Sequence, residues 1–173
     1  MSGIAGGFEA ASFNQTPPFE NIDLFASDTA LREALALAVA GHETEGLSAF
    51  GKDFGSAETM LLGRLANENP PRLRLVDAAG NRADFVEFHP AYHSLMQKSM
   101  AAGLHCSACD GEKTGRISAR AARLYMASQI EAGHICPMSM TNASLAALAA
   151  SPKIHSDWQP RIFARVYCQA MKP

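Results

Sequence analysis

Residues 117–150 read ISARAARLYMASQIEAGHICPMSMTNASLAALAA, and this stretch decides the fold. Its first half consists largely of strong helix formers and predicts a helix that ends at Gly133, where a left-handed C-terminal cap is expected. Pro137 fits the first turn of a second helix. The stretch therefore predicts two helices that form the central hairpin of an all-α domain.

The composition of this pair also predicts which faces are buried. From Ala132 to Ser151 there is no formal charge, so the second helix is expected to be buried on most sides. The neutral run is long enough for a membrane span, but its proline, asparagine, threonine and serines make a span unfavourable. The first helix carries an apolar stripe that becomes polar near its end: Ile117, Ala121, Leu124, Ser128 and Ile130–Glu131.

Length and composition indicate one globular domain. The chain has 173 residues, of which 47% are hydrophobic and 18% are charged. A net charge of -2 argues against a general binder of nucleic acids or anionic membranes. There is no basic start followed by an apolar run, so we expect a cytoplasmic protein whose four cysteines are free thiols.

Two further helices are predicted before the middle of the chain. Residues 1–26 are expected to form an extended arm because Pro17-Pro18 forbids helix, and the domain proper is expected to span 27–173. A helix is predicted from Ser27-Asp28 to about Phe50, and the next from near Ser56 to Asn67. The inward face of the first comprises Leu31, Leu35, Ala38, His42, Leu47 and Phe50.

Between residues 72 and 89 the spacing of apolar residues changes from a helical period to the alternation typical of β-strands. Apolar residues alternate on both sides of a turn that contains Gly80-Asn81, which predicts one small β-hairpin inserted in the helical domain. Pro90 is expected to open a helix that runs to Gly103. A last short helix is predicted to start at Pro160 and to carry Ile162, Phe163, Val166 and Tyr167.

Cys106 and Cys109, flanked by His105, have the spacing of half a zinc site or of a redox pair. A structural zinc site needs about four ligands, and only the fold could bring Cys136, Cys168 or His105 to complete it. Thiols in a loop without a metal are the favoured interpretation. A small zinc-binding domain stays open as an alternative.

Two other groups invite a functional interpretation. Glu87, His89 and His93 resemble a metal cluster, but Pro90 places His89 before the helix, and capping and packing roles are favoured. On the first central helix, Arg116, Arg120 and Arg123 share a face; this face could hold phosphates, whereas a solvated face paired with carboxylates is the favoured interpretation. No residue is assigned as catalytic, cofactor-binding or metal-ligating.

Several blocks together resemble the N-terminal α-helical domain of the acyl-CoA dehydrogenase family, in its adaptive-response (AidB-type) branch. The resemblance covers roughly residues 12 to 170. The blocks are Arg64-Leu65-Ala66-Asn67 with Pro70-Pro71, Phe88-His89-Pro90-Ala91 with His93 and Leu95-Met96, Ala119-Arg120-Ala121-Ala122-Arg123, and Gln129-Ile130-Glu131-Ala132-Gly133 leading to Cys136-Pro137 and Met140-Thr141.

The resemblance implies a flavoprotein that removes hydrogens from the α and β carbons of an acyl thioester. In that family FAD is gripped mainly by a middle β-domain, through a Met-Thr-Glu segment, and the catalytic carboxylate comes from a C-terminal bundle. Neither segment is in this sequence, and Met140-Thr141 is followed by Asn142 and not by Glu. This chain alone is therefore expected to bind no FAD tightly and to supply no catalytic base.

What the resemblance leaves for this chain is to wall the acyl pocket and to build subunit contacts in a homo-oligomer. The segment from Cys136 to Thr141 is expected to be a loop on the pocket side, with Cys136, Met138, Met140 and Thr141 as wall residues. Surface that would pack on the β-domain is expected to be exposed and apolar. A link to DNA follows from the family alone. A stand-alone helical interaction module without catalysis is the second alternative.

Overall fold

The computed structural model describes residues 16–38, 44–106 and 115–170, which contain eight helices and one antiparallel hairpin. This confirms the predicted fold class. The predictions for residues 1–15 of the arm, His42 and Cys109 lie outside these ranges. In chain order the elements are α1 (Leu24–Ser27), α2 (Thr29–Ala38), α3 (Thr44–Phe54), α4 (Ala57–Glu68), β1 (Arg72–Val76), β2 (Arg82–Glu87), α5 (Pro90–Ala101), α6 (Arg116–Ile130), α7 (Ile135–Leu148) and α8 (Pro152–Ile162).

The two central helices are confirmed as α6 and α7, but a carboxylate shapes the turn between them. Gly133 does not adopt a positive φ, so the predicted left-handed cap is wrong. Instead Glu131 leaves α6 in an extended conformation (φ -159°, ψ 120°), and its side chain accepts hydrogen bonds from the backbone N–H of Gly133 (2.6 Å) and of His134 (2.7 Å). The second helix consequently starts at Ile135, ahead of Pro137.

The buried faces of both central helices differ from the prediction. On α6 the core side holds Ala122, Met126 and Ala127, whereas Ile117 is 69% exposed. Alanines lie on several sides of α6, so the apolar pattern alone did not fix its orientation. On α7 only Met138 and Leu145 are buried, so the expectation of a helix buried on most sides is wrong. Its outer face is apolar, but nothing in the described ranges covers it.

The N-terminal part of the chain is helical, as predicted, but its helices have other boundaries. Helices α2 and α3 both lie in the region predicted as a helix to Phe50, and α3 continues to Phe54; residues 39–43 lie outside the described ranges. One turn, α1, occupies the end of the predicted arm, with the Asp23 carboxylate as its N-cap. The fourth helix begins after Ser56, whose hydroxyl accepts from the N–H of Thr59, as its position before the apolar run predicted.

The β-hairpin is confirmed, and it projects from the helical body. Arg72 pairs with Glu87, and Leu73 pairs with Val86 in an antiparallel register. Both strands are largely exposed, because the hairpin contacts mainly itself. At the turn, Gly80 has a φ of 84°, a conformation that glycine adopts without strain.

Helix α5 begins at Pro90, as predicted, but it ends at Ala101 and not at Gly103, which has a φ of 74°. The predicted start of the last helix at Pro160 is wrong. Helix α8 begins at Pro152, directly after Ser151, and Pro160 lies inside its final turns. A proline at the first position of a helix sacrifices no hydrogen bond, which favours Pro152 as the start. Residues 164–170 are not helical.

The core is built mainly from α1, α3 and α6, with single residues from α2, α5 and α7. Its buried members are Leu24, Phe25, Leu35, Leu47, Phe50, Phe54, Met96, Leu104, Ala122, Met126, Ala127 and Met138. The rings of Phe50 and Phe54 stack with their centroids 4.1 Å apart. None of the helices in the described ranges is long and apolar enough to cross a bilayer.

Candidate functional site

A groove between α7 and α8 holds two of the four predicted wall residues. It is an open cleft of about 530 Å³. The segment from Cys136 to Thr141 is helical, so the expected loop is wrong, because α7 starts before Pro137. The residues that line the groove are Met140, Thr141, Ser144, Ala147, Leu148, Trp158 and Ile162.

The other two predicted wall residues lie elsewhere on the same helix. Cys136 is exposed in the first turn of α7. Met138 is 2% exposed and belongs to the core, so it supports α7 from behind. Of the four, Met140 and Thr141 are therefore the residues that face the groove.

The groove is chemically apolar even where its residues carry hydroxyls. Thr141 donates its hydroxyl proton to the Pro137 carbonyl (2.8 Å), and Ser144 donates to the Thr141 carbonyl (2.7 Å). Both hydroxyls thus satisfy their donors within α7. Such a surface can hold a hydrocarbon chain or an apolar partner and offers little to a charged group.

Large apolar side chains stand at the open side of this groove. Met140 is 68% exposed and Trp158 is 49% exposed. The Arg161 guanidinium lies 5.4 Å from the centroid of the Trp158 ring and holds it by a cation–π contact. Contiguous apolar surface of this kind is typical of sites that bind a ligand or another protein surface.

A buried relay of three polar side chains lies at the other end of α7. His134 Nε2 is 2.9 Å from Ser99 Oγ of α5, and His134 Nδ1 is 2.9 Å from Glu131 Oε2. Ser99 and His134 are both 0% exposed. The sequence shows Glu131 and His134 close together, but Ser99 is 35 residues away from His134, so only the fold reveals the relay.

The hydrogen bonds determine the charge state of this relay. Burial disfavours the charged forms of both ionisable groups and lowers the pKa of His134. For Glu131 the same desolvation is outweighed by the backbone N–H groups of His134 and Gly133, which lower the pKa of the carboxyl. At neutral pH the relay is therefore a carboxylate and a neutral imidazole, with Nδ1–H donating to Glu131 and Nε2 accepting from Ser99.

This relay has the residue types of a serine hydrolase triad without its access. The nucleophile of such a triad must reach a substrate carbonyl, and the Ser99 hydroxyl is enclosed between α5 and the α6–α7 turn. The relay consequently fixes the position of helices.

The histidines next to the hairpin have the structural roles that the sequence predicted. His89 is the N-cap of α5, and its Nδ1 accepts from the N–H of Ala91 (3.2 Å). His93 Nδ1 lies 2.7 Å from the hydroxyl of Tyr167. Glu87 pairs with Arg74 at 2.7 Å. Across the described ranges, no group of three potential ligands is placed to hold a metal ion.

His105 and Cys106, the described residues of the predicted cysteine–histidine segment, are both buried. His105 is 1% exposed, and its Nε2 lies 3.1 Å from the carbonyl oxygen of Ala164, which ties residues after α8 to the end of α5. Burial lowers the pKa of His105. Cys106 is buried as well, and Cys109 lies outside the described residues.

The arginines of α6 are not a uniformly solvated face. Arg120 is half-buried and donates from Nε to the Leu104 carbonyl at 2.6 Å, so this member of the face is not fully solvated. The Nε–H of this guanidinium is therefore used inside the protein.

A second apolar groove, of about 480 Å³, runs between α2 and α6. At one end the Tyr125 hydroxyl donates to Asp28 Oδ2 (3.1 Å), and this bond raises the pKa of Tyr125. The lining residues are Ala30, Leu31, Ala34, Leu35, Ala38, Ser118, Ala121, Ala122 and Tyr125.

Comparison with known proteins finds relatives over nearly the whole chain. The family described as "Adaptive response protein AidB N-terminal domain" matches residues 14–169. The protein named "Putative acyl-CoA dehydrogenase AidB" from Escherichia coli (strain K12) is 40% identical over 163 residues, which is 93% of this chain and 30% of the relative.

Two solved structures share the fold. Caenorhabditis elegans ACDH-11 in complex with C11-CoA superposes with a TM-score of 0.75 at 26% identity, over 91% of this chain and 28% of that chain. Bd2924 in its apo form superposes with a TM-score of 0.77 at 20% identity, over 88% of this chain and 31% of that chain, and this likeness shows the fold alone. The chain thus spans about a third or less of the length of each protein it matches.

Proposed function

Because the chain belongs to the AidB N-terminal domain family of acyl-CoA dehydrogenase-like proteins, we propose that it acts as a helical wall in an FAD-dependent oxidoreductase of that kind. In this proposal the groove between α7 and α8 faces the compartment for the acyl chain of an acyl-CoA. The substrate, the flavin and the reaction belong to the assembled protein.

One observation carries this proposal: α7 is a helix without charge whose outer face is exposed and apolar. Helices of globular proteins usually place charged residues on the side that faces water. Met140, Trp158 and Leu148 instead line an open groove in which the neighbouring hydroxyls are satisfied by α7 itself. The C11-CoA in the Caenorhabditis elegans relative supports an acyl chain as the ligand class.

The apolar lining of this groove also argues against FAD as its ligand. A dinucleotide needs donors and cations for its phosphates, as the N-terminus of a helix or a guanidinium provides. The hydroxyls of Thr141 and Ser144 already donate to carbonyls of α7, and the Arg161 guanidinium lies over the Trp158 ring. We therefore assign the main flavin site to the part of the relatives' length that this chain does not match. There FAD would accept the hydride from the acyl group.

Assembly is the second part of the proposal. The exposed apolar residues of α8, Ile154 and Trp158, continue the surface of α7. We propose that the flavin-binding part covers most of this surface, and that copies associate into a cytoplasmic homo-oligomer. DNA is not included, because the net charge is -2 and Arg120 is turned to a backbone carbonyl.

A chimera tests the wall directly. This chain replaces the aligned segment of Escherichia coli AidB, and titration calorimetry measures the affinity of the flavin-loaded chimera for medium- and long-chain acyl-CoA. Met140→Glu places a charge in the groove and should weaken binding at least tenfold, equivalent to about 1.4 kcal/mol. Gln97→Glu, which adds the same charge on the exposed side of α5, is the matched control and should bind as the parent does.

Equal acyl-CoA affinity in the Met140→Glu and Gln97→Glu chimeras, with full flavin content, would contradict the proposal that this groove borders the acyl chain. A chimera that assembles but binds neither flavin nor acyl-CoA would favour the stand-alone interaction module.

A further inference from the structure

We propose that Glu131, His134 and Ser99 form an acid-labile lock that fixes the first turn of α7, and that protonation of His134 releases this turn. The lock itself rests on the geometry of the relay. Its consequence, control over the apolar wall formed by α7, rests on the proposed function.

The lock joins α7 to two other helices. Glu131, at the end of α6, accepts from the backbone N–H groups of Gly133 and His134, which would otherwise be unsatisfied at the start of α7. Ser99 attaches the imidazole of His134 to the last turn of α5. The direction in which α7 leaves the core is thus set by one carboxylate and one imidazole.

Each partner fits the neutral imidazole. The carboxylate accepts a hydrogen bond from Nδ1–H, and the serine hydroxyl donates to Nε2. A second proton, on Nε2, would point at Ser99 Oγ, which would then have to turn from donor to acceptor. It would also place a cation where the imidazole is 0% exposed. A proton therefore binds more easily after the turn has opened to water.

Apart from Glu131, the charged groups described on the surrounding helices have partners of their own. On α5 the phenol of Tyr92 faces Glu131, and Cys136 at the start of α7 lies near the same phenol. Lys98, the neighbour of Ser99, pairs with Asp53 of α3 at 2.5 Å. The ion pair Arg64–Glu68 of α4 is on the surface, and Arg120 of α6 bonds the Leu104 carbonyl. Glu131 is thus the charge in direct contact with His134 among the described residues. Its carboxylate favours the imidazolium, but burial outweighs this and the pKa of His134 is lowered.

Amide hydrogen exchange of the full chain tests the lock. The amides of Gly133 and His134 are followed at pH 7.5 and 5.5, with intrinsic exchange rates divided out. A histidine whose ordinary pKa is 6.5 and which stays neutral while the turn is closed makes opening about tenfold more frequent over this interval. Protection of these two amides should therefore fall by up to about tenfold, while that of amides in α4 should change less.

His134→Gln is the informative variant, because an amide side chain offers a donor and an acceptor but does not titrate. Its Gly133 amide should be protected to the same extent at both pH values. Equal pH dependence in this variant and in the parent would overturn the proposal.

If the variant does not fold, NMR of the parent protein tests the lock, because the chemical shifts of the His134 ring protons report whether the ring is charged. A ring that stays neutral in the folded state at pH 5.5 supports the lock, and one that titrates near 6.5 without loss of amide protection overturns it. Neither readout involves acyl-CoA, so failure of the lock and failure of the proposed wall can be told apart.

Discussion

Gly63 of α4 lies so close to Ile130 of α6 that an added Cβ would stand 2.7 Å from Ile130 Cγ2 and closer still to the Ile130 carbonyl oxygen. This contact holds α4 against the end of α6, just before the turn that leads to α7. Gly63→Ala should therefore force the two helices apart and lower the free energy of unfolding by about 1–3 kcal/mol.

Urea denaturation followed by circular dichroism measures this effect. Gly46→Ala in α3 is the matched control, since among the described residues its Cβ would meet Arg123 Nη2 alone, at an ordinary 3.4 Å. Alanine favours a helix over glycine by roughly 0.5–1 kcal/mol, so the control should be neutral or stabilising. Equal effects of the two substitutions would show that the Gly63–Ile130 contact is not tight in solution.

Removal of the Ser99 hydroxyl should destabilise the protein although the side chain is small. Ser99→Ala leaves the buried Nε2 of His134 without its donor, which costs about 1–3 kcal/mol. Ser94→Ala, on the exposed side of the same helix, removes only a bond to the Pro90 carbonyl and should stay within about 0.5 kcal/mol of the parent. Urea midpoints of the two variants make the comparison, and a neutral Ser99→Ala would mean that His134 does not depend on this serine.

Stability should fall as the solution becomes acidic. Burial lowers the pKa values of His134 and His105 below 6.5, so below that pH the unfolded chain binds protons that the folded chain does not. The free energy of unfolding should therefore decrease from pH 7.5 towards 5.5, by at most about 1.4 kcal/mol per pH unit for each histidine. The lowered pKa of Glu131 adds a further loss below about 4.5 as its carboxylate is protonated.

Urea titrations at several pH values check the direction and the assignment. His134→Gln and His105→Gln should each reduce the slope between pH 7 and 5.5. A stability that is constant or rises over this interval would show that these imidazoles are solvated in the folded chain.

Flavin binding by this chain alone should be weak. The groove offers a dinucleotide few donors, so FAD titrated into the chain and followed by flavin fluorescence should show no saturation in the micromolar range. The flavin-loaded chimera is the positive control. Micromolar or tighter affinity in the isolated chain would contradict the assignment of the main flavin site to another part of the protein.

The local signals in the sequence were sufficient for most helix and strand positions. Ser56 and Pro90 mark the starts of α4 and α5, and Gly80 marks the hairpin turn, because each supplies a cap or a backbone conformation on the spot. Pro160 was misleading, since Ser151-Pro152 is an equally good start with more helix after it. Orientation was harder to predict because α6 has alanines on several sides and α7 has no charge to mark its solvent face.

The candidate site depends on contacts that no local pattern contains. Met140 and Thr141 were selected by resemblance, but Trp158 joins them only because α8 folds back along α7. Ser99 and His134 are far apart in sequence and meet through the packing of α5 on the α6–α7 turn. The carboxylate cap by Glu131 could have been suspected from the adjacent Gly133-His134, but its role in fixing α7 required the fold.

The central claim is that the outer face of α7 borders an acyl chain, and photolabelling tests it most directly. An acyl-CoA with a diazirine at the end of its chain is bound to the flavin-loaded chimera and irradiated, and the labelled peptides are mapped by mass spectrometry. The account predicts label on the segment that contains Met140, Thr141 and Ser144, competed away by unlabelled acyl-CoA. Saturable binding with label confined to segments outside α7 and α8 would contradict it.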